Sequence, residues 1–493
     1  MPSITPTDEQ LAVIDHIARG KPSNLLVSAR AGSAKTSTIV MGVQAQPDIN
    51  ALCLAFNKAI AQEMQAKFKG IGATRAQART MNSIGHRAWG RAVGKRLTLD
   101  SGKTRRLLKA YIDSCPERVR DELWDTFALL RQTIDMAKQW GWVPSEALRL
   151  DGPRLAPILD DEEFFEMPDF TPSAAEMQAM TRVLTQSIEE SLAGTIDFGD
   201  QVYMPAIAER ISLESAPHLL VDEAQDLSAL NHVLIAKMAG PLRSRIIAVG
   251  DPCQAIYAFR GADGNSMPNM RALFQMEELK LTTCFRCPTA VVQEALWRAP
   301  DMRSPSWMAK GTVQALSEWD IAALPPGSAI ICRNNAPLFA VAIKALTAGV
   351  RVTMKQGDVA KLIKARLEKF AGAKKQMDMP QSILLDKIRQ WGQAEQTRSR
   401  DERKTQDTID CLEILATQGD TLGDALAYCD YILAQEGSIH LMTGHRAKGL
   451  EYKDVYFLDE HLCKREGQDR NIKYVIQTRA TENLTYITTD GLI

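Results

Sequence analysis

At 493 residues the chain has room for three or four domains of ~100–200 residues each, with the composition of an ordinary globular protein. Its 59 Lys+Arg against 60 Asp+Glu leave a formal net charge of −1. That balance excludes a protein held on nucleic acid by bulk positive charge, and leaves open a local groove. No apolar run approaches the ~18–20 residues of a bilayer span, and Met1-Pro2-Ser3-Ile4-Thr5-Pro6 lacks a charged-then-apolar leader, so a cytoplasmic protein without a membrane partner is expected.

In chain order the pattern predicts a helix over Asp8–Arg19 and strands over Asn24–Ser28 and Ala51–Phe56, then a helix over Lys58–Lys67. Residues 91–194 have no strand pattern and read as amphipathic helices. Strands follow over His218–Val221 and Arg245–Val249, with a helix over Leu227–Met238 between them. Further strands are predicted over Ser328–Cys332, Ser438–Thr443, Val455–Leu458 and Leu484–Thr488. Residues 350–435 are again helical in pattern, and the charged tract Arg398–Lys404 reads as a solvated face. Short runs of Val, Ile and Leu alternating with helices suit buried parallel strands in an α/β fold. Two α/β domains are expected, 1–90 with 195–278 and 279–349 with 436–493, each carrying a mainly helical insertion (91–194 and 350–435). No repeat, low-complexity tract or long Gly/Ser linker interrupts them. The nine cysteines are scattered; Cys284 and Cys287 form a C-x-x-C with no second Cys or His pair nearby, and ordinary reduced thiols are expected.

Three segments carry chemistry. Leu25–Ser28 runs into Ala29-Arg30-Ala31-Gly32-Ser33-Ala34-Lys35-Thr36, a phosphate-cradle spacing in which Lys35 would meet phosphate oxygens and the Thr36 hydroxyl a Mg²⁺ ion. A helix from Ser37 would add its positive end. Both outer glycines of the usual pattern are alanines here, Ala29 and Ala34. The second segment, Leu219-Leu220-Val221-Asp222-Glu223-Ala224-Gln225-Asp226, ends an apolar strand in acids. Asp222 suits a hard cation, and Glu223 can orient or deprotonate an attacking water. The third segment is Gly250-Asp251-Pro252-Cys253-Gln254-Ala255-Ile256-Tyr257-Ala258-Phe259-Arg260-Gly261-Ala262.

With these motifs in this order, the chain resembles the UvrD-like branch of superfamily 1 DNA helicases, with most likeness to phage and F-box-type members. The resemblance runs from Thr7 to Leu484 and implies two RecA-like P-loop motor domains. It implies that Gln10 reads the adenine, with Ala31–Ser37 around the phosphates. It also implies that Gln254 senses the γ-phosphate. In Leu281-Thr282-Thr283-Cys284-Phe285-Arg286, Phe285 would stack on the adenine and Arg286 reach the γ-phosphate. Ile331-Cys332-Arg333-Asn334-Asn335 resembles a further short family motif. In Thr443-Gly444-His445-Arg446-Ala447-Lys448-Gly449-Leu450-Glu451, Glu451 would touch the ribose and His445 the DNA. In Tyr474-Val475-Ile476-Gln477-Thr478-Arg479-Ala480, Arg479 would be a second arginine finger. Phe56, Asn57, Thr80, Asn82, Tyr257, Phe259 and Arg260 would also contact DNA. The sequence departs from the family at Asn82 (usually His), Phe259 (often Trp) and Ser37 (often Arg).

The resemblance implies an ATP-dependent DNA helicase using Mg²⁺, moving 3′→5′ on single-stranded DNA. Hydrolysis in the cleft between two motor domains would be coupled to strand separation. Its partners would be single-stranded and forked or tailed DNA, with replication or recombination proteins as further partners. A single-stranded DNA translocase that displaces proteins without efficient unwinding uses the same catalytic residues. A small-molecule kinase would have no use for Phe259, His445 or two distant arginines. A non-hydrolysing scaffold would have no use for Glu223.

Overall fold

The computed structural model describes residues 5–18, 23–165, 172–257, 263–354, 358–372, 375–398 and 402–493. The chain divides into two units: residues 1–29 with 34–281, and residues 30–33 with 282–493.

The first unit is built on a six-stranded sheet. Its strands are β1 (Leu25–Ala29), β2 (Ala51–Ala55), β3 (Ala76–Thr80), β6 (His218–Val221), β7 (Arg245–Gly250) and β8 (Glu277–Leu281), in the order β3-β2-β6-β7-β1-β8. All neighbours pair parallel. Both faces are covered, so alternate residues of one strand enter different cores. Leu25, Val27 and Ala29 pack with Ile39, Val43, Phe68 and Ile247 on one side. Leu26, Leu52, Leu54, Ile246 and Ala248 pack with Ile235 and Met238 on the other. A strand buried on both faces must be apolar throughout, which is why these runs are visible in the sequence.

Between β3 and β6 the chain is mainly helical. The two-residue strands β4 (Thr98–Leu99) and β5 (Thr195–Ile196) pair parallel, and helices Lys103–Ser114, Phe127–Trp140 and Ala174–Ala193 close around Trp89, Leu107, Ile134, Trp142 and Phe164. Trp142 and Phe164 stack with ring centroids 4.0 Å apart. A buried charge cluster lies in this segment: Lys138 Nζ donates to Asp197 (2.6 Å) and Asp200 (2.7 Å), and Lys103 Nζ donates to Asp200 (2.8 Å).

The second unit carries a parallel six-stranded sheet of β9 (Thr312–Ala315), β10 (Ala329–Cys332), β11 (Val352–Met354), β12 (Ile439–Thr443), β13 (Tyr452–Leu458) and β14 (Ala480–Ile487). The order is β11-β12-β10-β13-β14-β9. Helices Asp358–Phe370, Gln381–Arg398, Glu402–Ala416 and Leu422–Ala434 follow β11. Their Leu367, Leu384, Leu412, Leu415 and Ile432 share one core with Ile330, Ile439 and Leu441 of the sheet. The α/β class with two parallel sheets is as the sequence predicts. Strands β3, β8, β9 and β11 have no counterpart in the predicted elements, nor do the two-residue β4, inside the segment read as helical, and β5; β14 begins four residues before the predicted run.

Candidate functional site

In a parallel sheet every strand delivers its carboxyl end to the same edge, where ligands of open α/β sheets bind. In the first unit that edge receives the loop after β1, the acids after β6 and the turn after β7. Helix Lys35–Gln44 starts directly after Ala34, which takes a left-handed conformation (φ 60°, ψ 37°) and makes no side-chain cap bond. The alanine therefore keeps the backbone path that glycine would adopt freely, with steric strain at its Cβ. Glu223 is also left-handed, at φ 54°. Two strained non-glycine residues at one sheet edge are the kind of outlier that clusters at functional sites.

Here the predicted residues meet. Lys35 Nζ lies 3.3 Å from both carboxylate oxygens of Glu223, and Thr36 Oγ1 donates to Asp222 at 3.1 Å. Burial alone would push the Lys35 ammonium down, but the charges of Glu223, Asp251 and Asp222 together hold it above its ordinary value. Burial, and then the Glu223 charge, push the Asp222 carboxyl up to about 6. Two adjoining acids with one lysine between them are short of positive charge, so the donor set fits a divalent cation. Magnesium commonly takes one or two protein oxygens and completes its shell with water and phosphate. That suits Asp222 and Thr36, whose side-chain oxygens lie 3.1 Å apart.

A hydrogen-bonded chain extends from this centre. The Gln225 amide donates to Glu223, its carbonyl oxygen accepts the Asp251 N–H at 2.9 Å, and Asp251 Oδ2 accepts the Gln254 amide at 2.7 Å. Gly250 permits it, because a Cβ there would lie 2.5 Å from the Gln225 oxygen. Gln225 and Asp251 lie inside motifs legible in the sequence, yet reading the sequence gave them no role. Gln10 is buried: its carbonyl oxygen accepts the Thr7 N–H at 3.0 Å and its amide donates to Thr38 at 3.2 Å. Ser37 is exposed on the first helical turn.

Farther along the same edge, Phe56 and Tyr257 stack with centroids 5.5 Å apart and planes 10° from parallel, and Phe56 is exposed. Asn57 and Thr80 cap the helices that follow β2 and β3, accepting the N–H groups of Ile60 and Ser83. Asn82 donates to the Phe198 carbonyl at 3.2 Å. Phe198 is 65% exposed and has no apolar run around it to mark it in the sequence. Phe259 and Arg260 lie outside the described residues.

Residues 30–33 of the loop belong to the second unit. Arg30 makes a two-pronged contact with Asp301, at 2.5 and 2.8 Å. Ala31 N–H donates to the Tyr474 hydroxyl at 3.0 Å, and Phe285 N–H donates to the Gly32 carbonyl at 2.8 Å. Gly32 has φ +69°, and a Cβ there would lie 2.7 Å from both Cys284 Sγ and Arg286 Cβ, so this position requires glycine. Ser33 Oγ is buried with no hydrogen-bond partner among the described residues. Arg286 Nε donates to Glu451 at 2.8 Å, which brings two predicted site residues together. Arg479 is 1% exposed and donates to the carbonyls of Val475 (2.8 Å) and Leu450 (3.1 Å). His445 is half-buried on the short helix Gly444–Ala447. All nine cysteines are free thiols, and the Cys287 N–H donates to Cys284 Sγ at 3.3 Å.

A phosphate loop between parallel strands, paired acids at the next strand end but one, and a second parallel sheet define a RecA-like P-loop architecture. Residues 7–275 match the UvrD/REP helicase N-terminal domain, and residues 438–487 match the UvrD-like helicase C-terminal domain. The chain belongs to the UvrD/REP helicase family. It is 24% identical over 266 residues to F-box DNA helicase 1 of Gallus gallus, covering 52% of this chain and 24% of that protein. It is 30% identical over 111 residues to DNA helicase II of Haemophilus influenzae, covering 21% of this chain and 15% of that protein. The matched region thus spans about a quarter or less of these curated relatives. The solved complex of Arterivirus nonstructural protein 10 (helicase) with DNA aligns over 96% of this chain and 62% of that one. Its identity is 12% and its TM-score 0.34, too low to carry an argument. No helix among the described residues is long and apolar enough to cross a membrane.

Proposed function

We propose that this chain is an ATP-driven motor that moves along single-stranded DNA and separates the strands of a duplex. One observation carries the reading: Lys35 and Glu223, and Thr36 and Asp222, meet at a sheet edge that also presents the exposed Phe56–Tyr257 stack.

Lys35 would neutralise charge on the outer phosphates of ATP. Asp222 and Thr36 would hold Mg²⁺, which supplies charge neutralisation at the β and γ oxygens when bound. Glu223, held by Gln225, would orient the attacking water and take its proton. Gln254 sits at the far end of the same hydrogen-bonded chain and would report the state of the γ-phosphate. Gln10, Ala31, Gly32, Ser33, Ala34 and Ser37 would complete the nucleotide site around Lys35 and Thr36. Arg286 and Arg479 would come from the second, with Phe285 and Glu451 on the base and ribose. Two motor domains closing on ATP and opening after hydrolysis would alternate their grip on the strand. Segments 91–194 and 350–435 are read as the insertions of domains 1–90/195–278 and 279–349/436–493.

On the DNA side, Phe56, Tyr257 and Phe259 would stack on bases. Asn57, Thr80, Asn82, Arg260 and His445 would supply polar contacts. Stacking is sequence-tolerant because every base has a π face, so weak sequence preference is expected. The exposed Phe198 beside Asn82 joins this surface. The 3′→5′ direction rests on the Asp222–Asp226 and Gly250–Ala262 sequence forms.

Steady-state ATP hydrolysis with and without single-stranded DNA, together with a Lys35→Ala variant, tests the motor. Stimulation by DNA that is lost in the variant is expected. Strand displacement from duplexes with 3′ or 5′ tails then tests direction: preference for 5′ tails refutes the polarity. Stimulated hydrolysis without displacement leaves a translocase that moves without unwinding.

A further inference from the structure

A cavity of about 780 Å³ opens beside the last turn of helix Met81–Val93, wholly within the first unit. None of the residues read above as touching ATP or DNA lines it. Its lining is mixed: Ala92, Val93, Leu192 and Ile211 supply apolar surface, while Arg91, Lys95 and Arg210 stand against one acid, Asp151. Arg91 and Lys95 also line an adjoining hollow with Arg87 and Arg96, so the cationic rim continues beyond the cavity.

The walls are tied together. Ala156 N–H donates to the Ile207 carbonyl (2.7 Å) and Glu209 N–H to the Arg154 carbonyl (2.8 Å), which joins the segment after Gly152 to the segment before Arg210. Gly152 has φ +144°, and a Cβ there would lie 2.7 Å from Leu192 Cδ2, so this wall packs on helix Ala174–Ala193 only as glycine. Two of the cations are held by backbone: Arg91 donates to the Ser212 carbonyl at 3.0 Å and Lys95 to the Leu192 carbonyl at 3.3 Å. A carbonyl fixes a cation without cancelling its charge. Nearby Arg87 and Arg154 face Glu214 (3.4 Å) and Glu209 (3.1 Å), but among the described residues no carboxylate pairs with Arg91, Lys95 or Arg210. Three such cations in a chain of net charge −1 mark a surface for an anionic partner.

The apolar lining selects the kind of anion. Single strands are gripped by rings on which bases stack, and no Phe, Tyr or Trp lines this cavity, whereas Phe56 and Tyr257 stack at the surface read above as the DNA path. A duplex presents phosphates on a convex surface and would leave the apolar part unfilled. An apolar side chain flanked by carboxylates satisfies both parts of the lining.

We propose that this cavity docks an acidic peptide segment of a partner protein, with an apolar side chain inside and flanking carboxylates on Arg91, Lys95 and Arg210. The site stands whether or not the chain moves along DNA.

Selection of a displayed library of random peptides on the full chain tests it, with the combined Arg91→Glu, Lys95→Glu and Arg210→Glu variant as counter-target. Sequences with Asp or Glu around an apolar residue are expected to be enriched. The strongest of them, labelled and read by fluorescence anisotropy, should bind the triple variant about tenfold more weakly, in the range of three lost exposed ion pairs. Its affinity should fall as salt rises. Ala92→Trp, which fills the cavity without changing charge, should weaken it as well, and so should Ser in place of the peptide's apolar residue. Far-UV circular dichroism separates a lost site from a lost fold, and Ala92→Trp keeps the test if the triple variant does not fold. No enrichment, or enrichment without acidic residues, overturns the proposal. Binding that survives both the triple variant and Ala92→Trp places the peptide elsewhere and also overturns it. A peptide that keeps its affinity with Ser makes this an anion site alone. Weakened binding of oligo(dT) or a forked duplex to the triple variant, with no peptide selected, assigns the groove to the DNA path and overturns the docking site.

Discussion

The Glu223 carboxylate is held by the side-chain amide of Gln225, and the carbonyl oxygen of that amide accepts the Asp251 N–H at 2.9 Å. Gln225 is buried, so one amide fixes both the orientation of the carboxylate and the turn that follows β7.

Gln225→Ala would remove one of the carboxylate's holds, leaving the Lys35 contact, and would leave the Asp251 N–H without this acceptor. If Glu223 acts on the attacking water, DNA-stimulated turnover should fall by about 10²-fold, the range for a displaced general base, with little change in the KM for ATP. Steady-state kinetics across ATP concentrations separates the two parameters. A proportionate rise in KM would mean that Gln225 serves binding instead.

Ala34 stands in a left-handed conformation at the start of the helix that carries Lys35. An L-residue there carries roughly 1–2 kcal/mol of strain, and glycine's greater freedom when unfolded offsets part of the relief. Ala34→Gly should therefore stabilise the first unit by up to about 1 kcal/mol. Ala34→Val should destabilise it, because a branched side chain tolerates positive φ least. Urea unfolding midpoints of the three proteins give the order directly.

Lys138 bridges Asp197 and Asp200 in the interior of the helical segment. Lys138→Met would leave Asp197 without its lysine and Asp200 with Lys103 alone, an effect of about 3–5 kcal/mol for a broken buried pair. Adding Asp197→Asn should restore part of the loss, since Asp200 keeps Lys103. The pH dependence has a defined sign. Burial opposes the Asp200 charge, but Lys138 and Lys103 hold the carboxyl well below its usual range. Its stabilising contribution is full above an unfolded value of about 3.9 and is lost as pH falls through the lower folded value. Lys138 is held above its usual value by Asp200 and Asp197 despite burial. Its contribution is full below an unfolded value of about 10.4 and is lost as pH rises through the higher folded value. Burial shifts Lys103 down instead, so its charge opposes folding at neutral pH. Thermal melts from pH 3 to 11 should show Lys138→Met losing most, relative to the unmodified chain, in the neutral range.

Phe198 and Phe56 are the exposed aromatics beside Asn82 and Tyr257. Phe198→Ala and Phe56→Ala should each weaken oligo(dT) binding by about 1–3 kcal/mol, the measured range for one stacked base. ATP hydrolysis in the absence of DNA should be unaffected. Fluorescence anisotropy with labelled oligonucleotides reads the first, and a basal turnover assay reads the second. Unaltered DNA affinity in both variants would remove this surface from the DNA path.

The legible strands share one position in the fold. β1, β2, β6 and β7 are interior to the first sheet, and β10, β12, β13 and β14 are interior to the second. In the two six-stranded sheets, the strands with no counterpart in the predicted elements, β3, β8, β9 and β11, are the four edges. Glu277–Leu281 and Thr312–Ala315 are largely exposed and mix charged or polar residues among the apolar ones. An edge strand meets solvent along one side and need not be apolar on both faces, so hydropathy alone does not find it.

The chemistry divides in the same way. Local sequence determined the α/β class, the phosphate loop and the acids at the end of β6, because buried parallel strands and phosphate cradles constrain consecutive residues. Only the tertiary structure set Lys35 against Glu223 and Thr36 against Asp222, across nearly two hundred residues. It alone gave Gln225 its place between Glu223 and Asp251, and set Arg91, Lys95 and Arg210 around one cavity. Those relationships depend on strand order and on backbone ties between distant segments, and neither leaves a periodic mark on the chain.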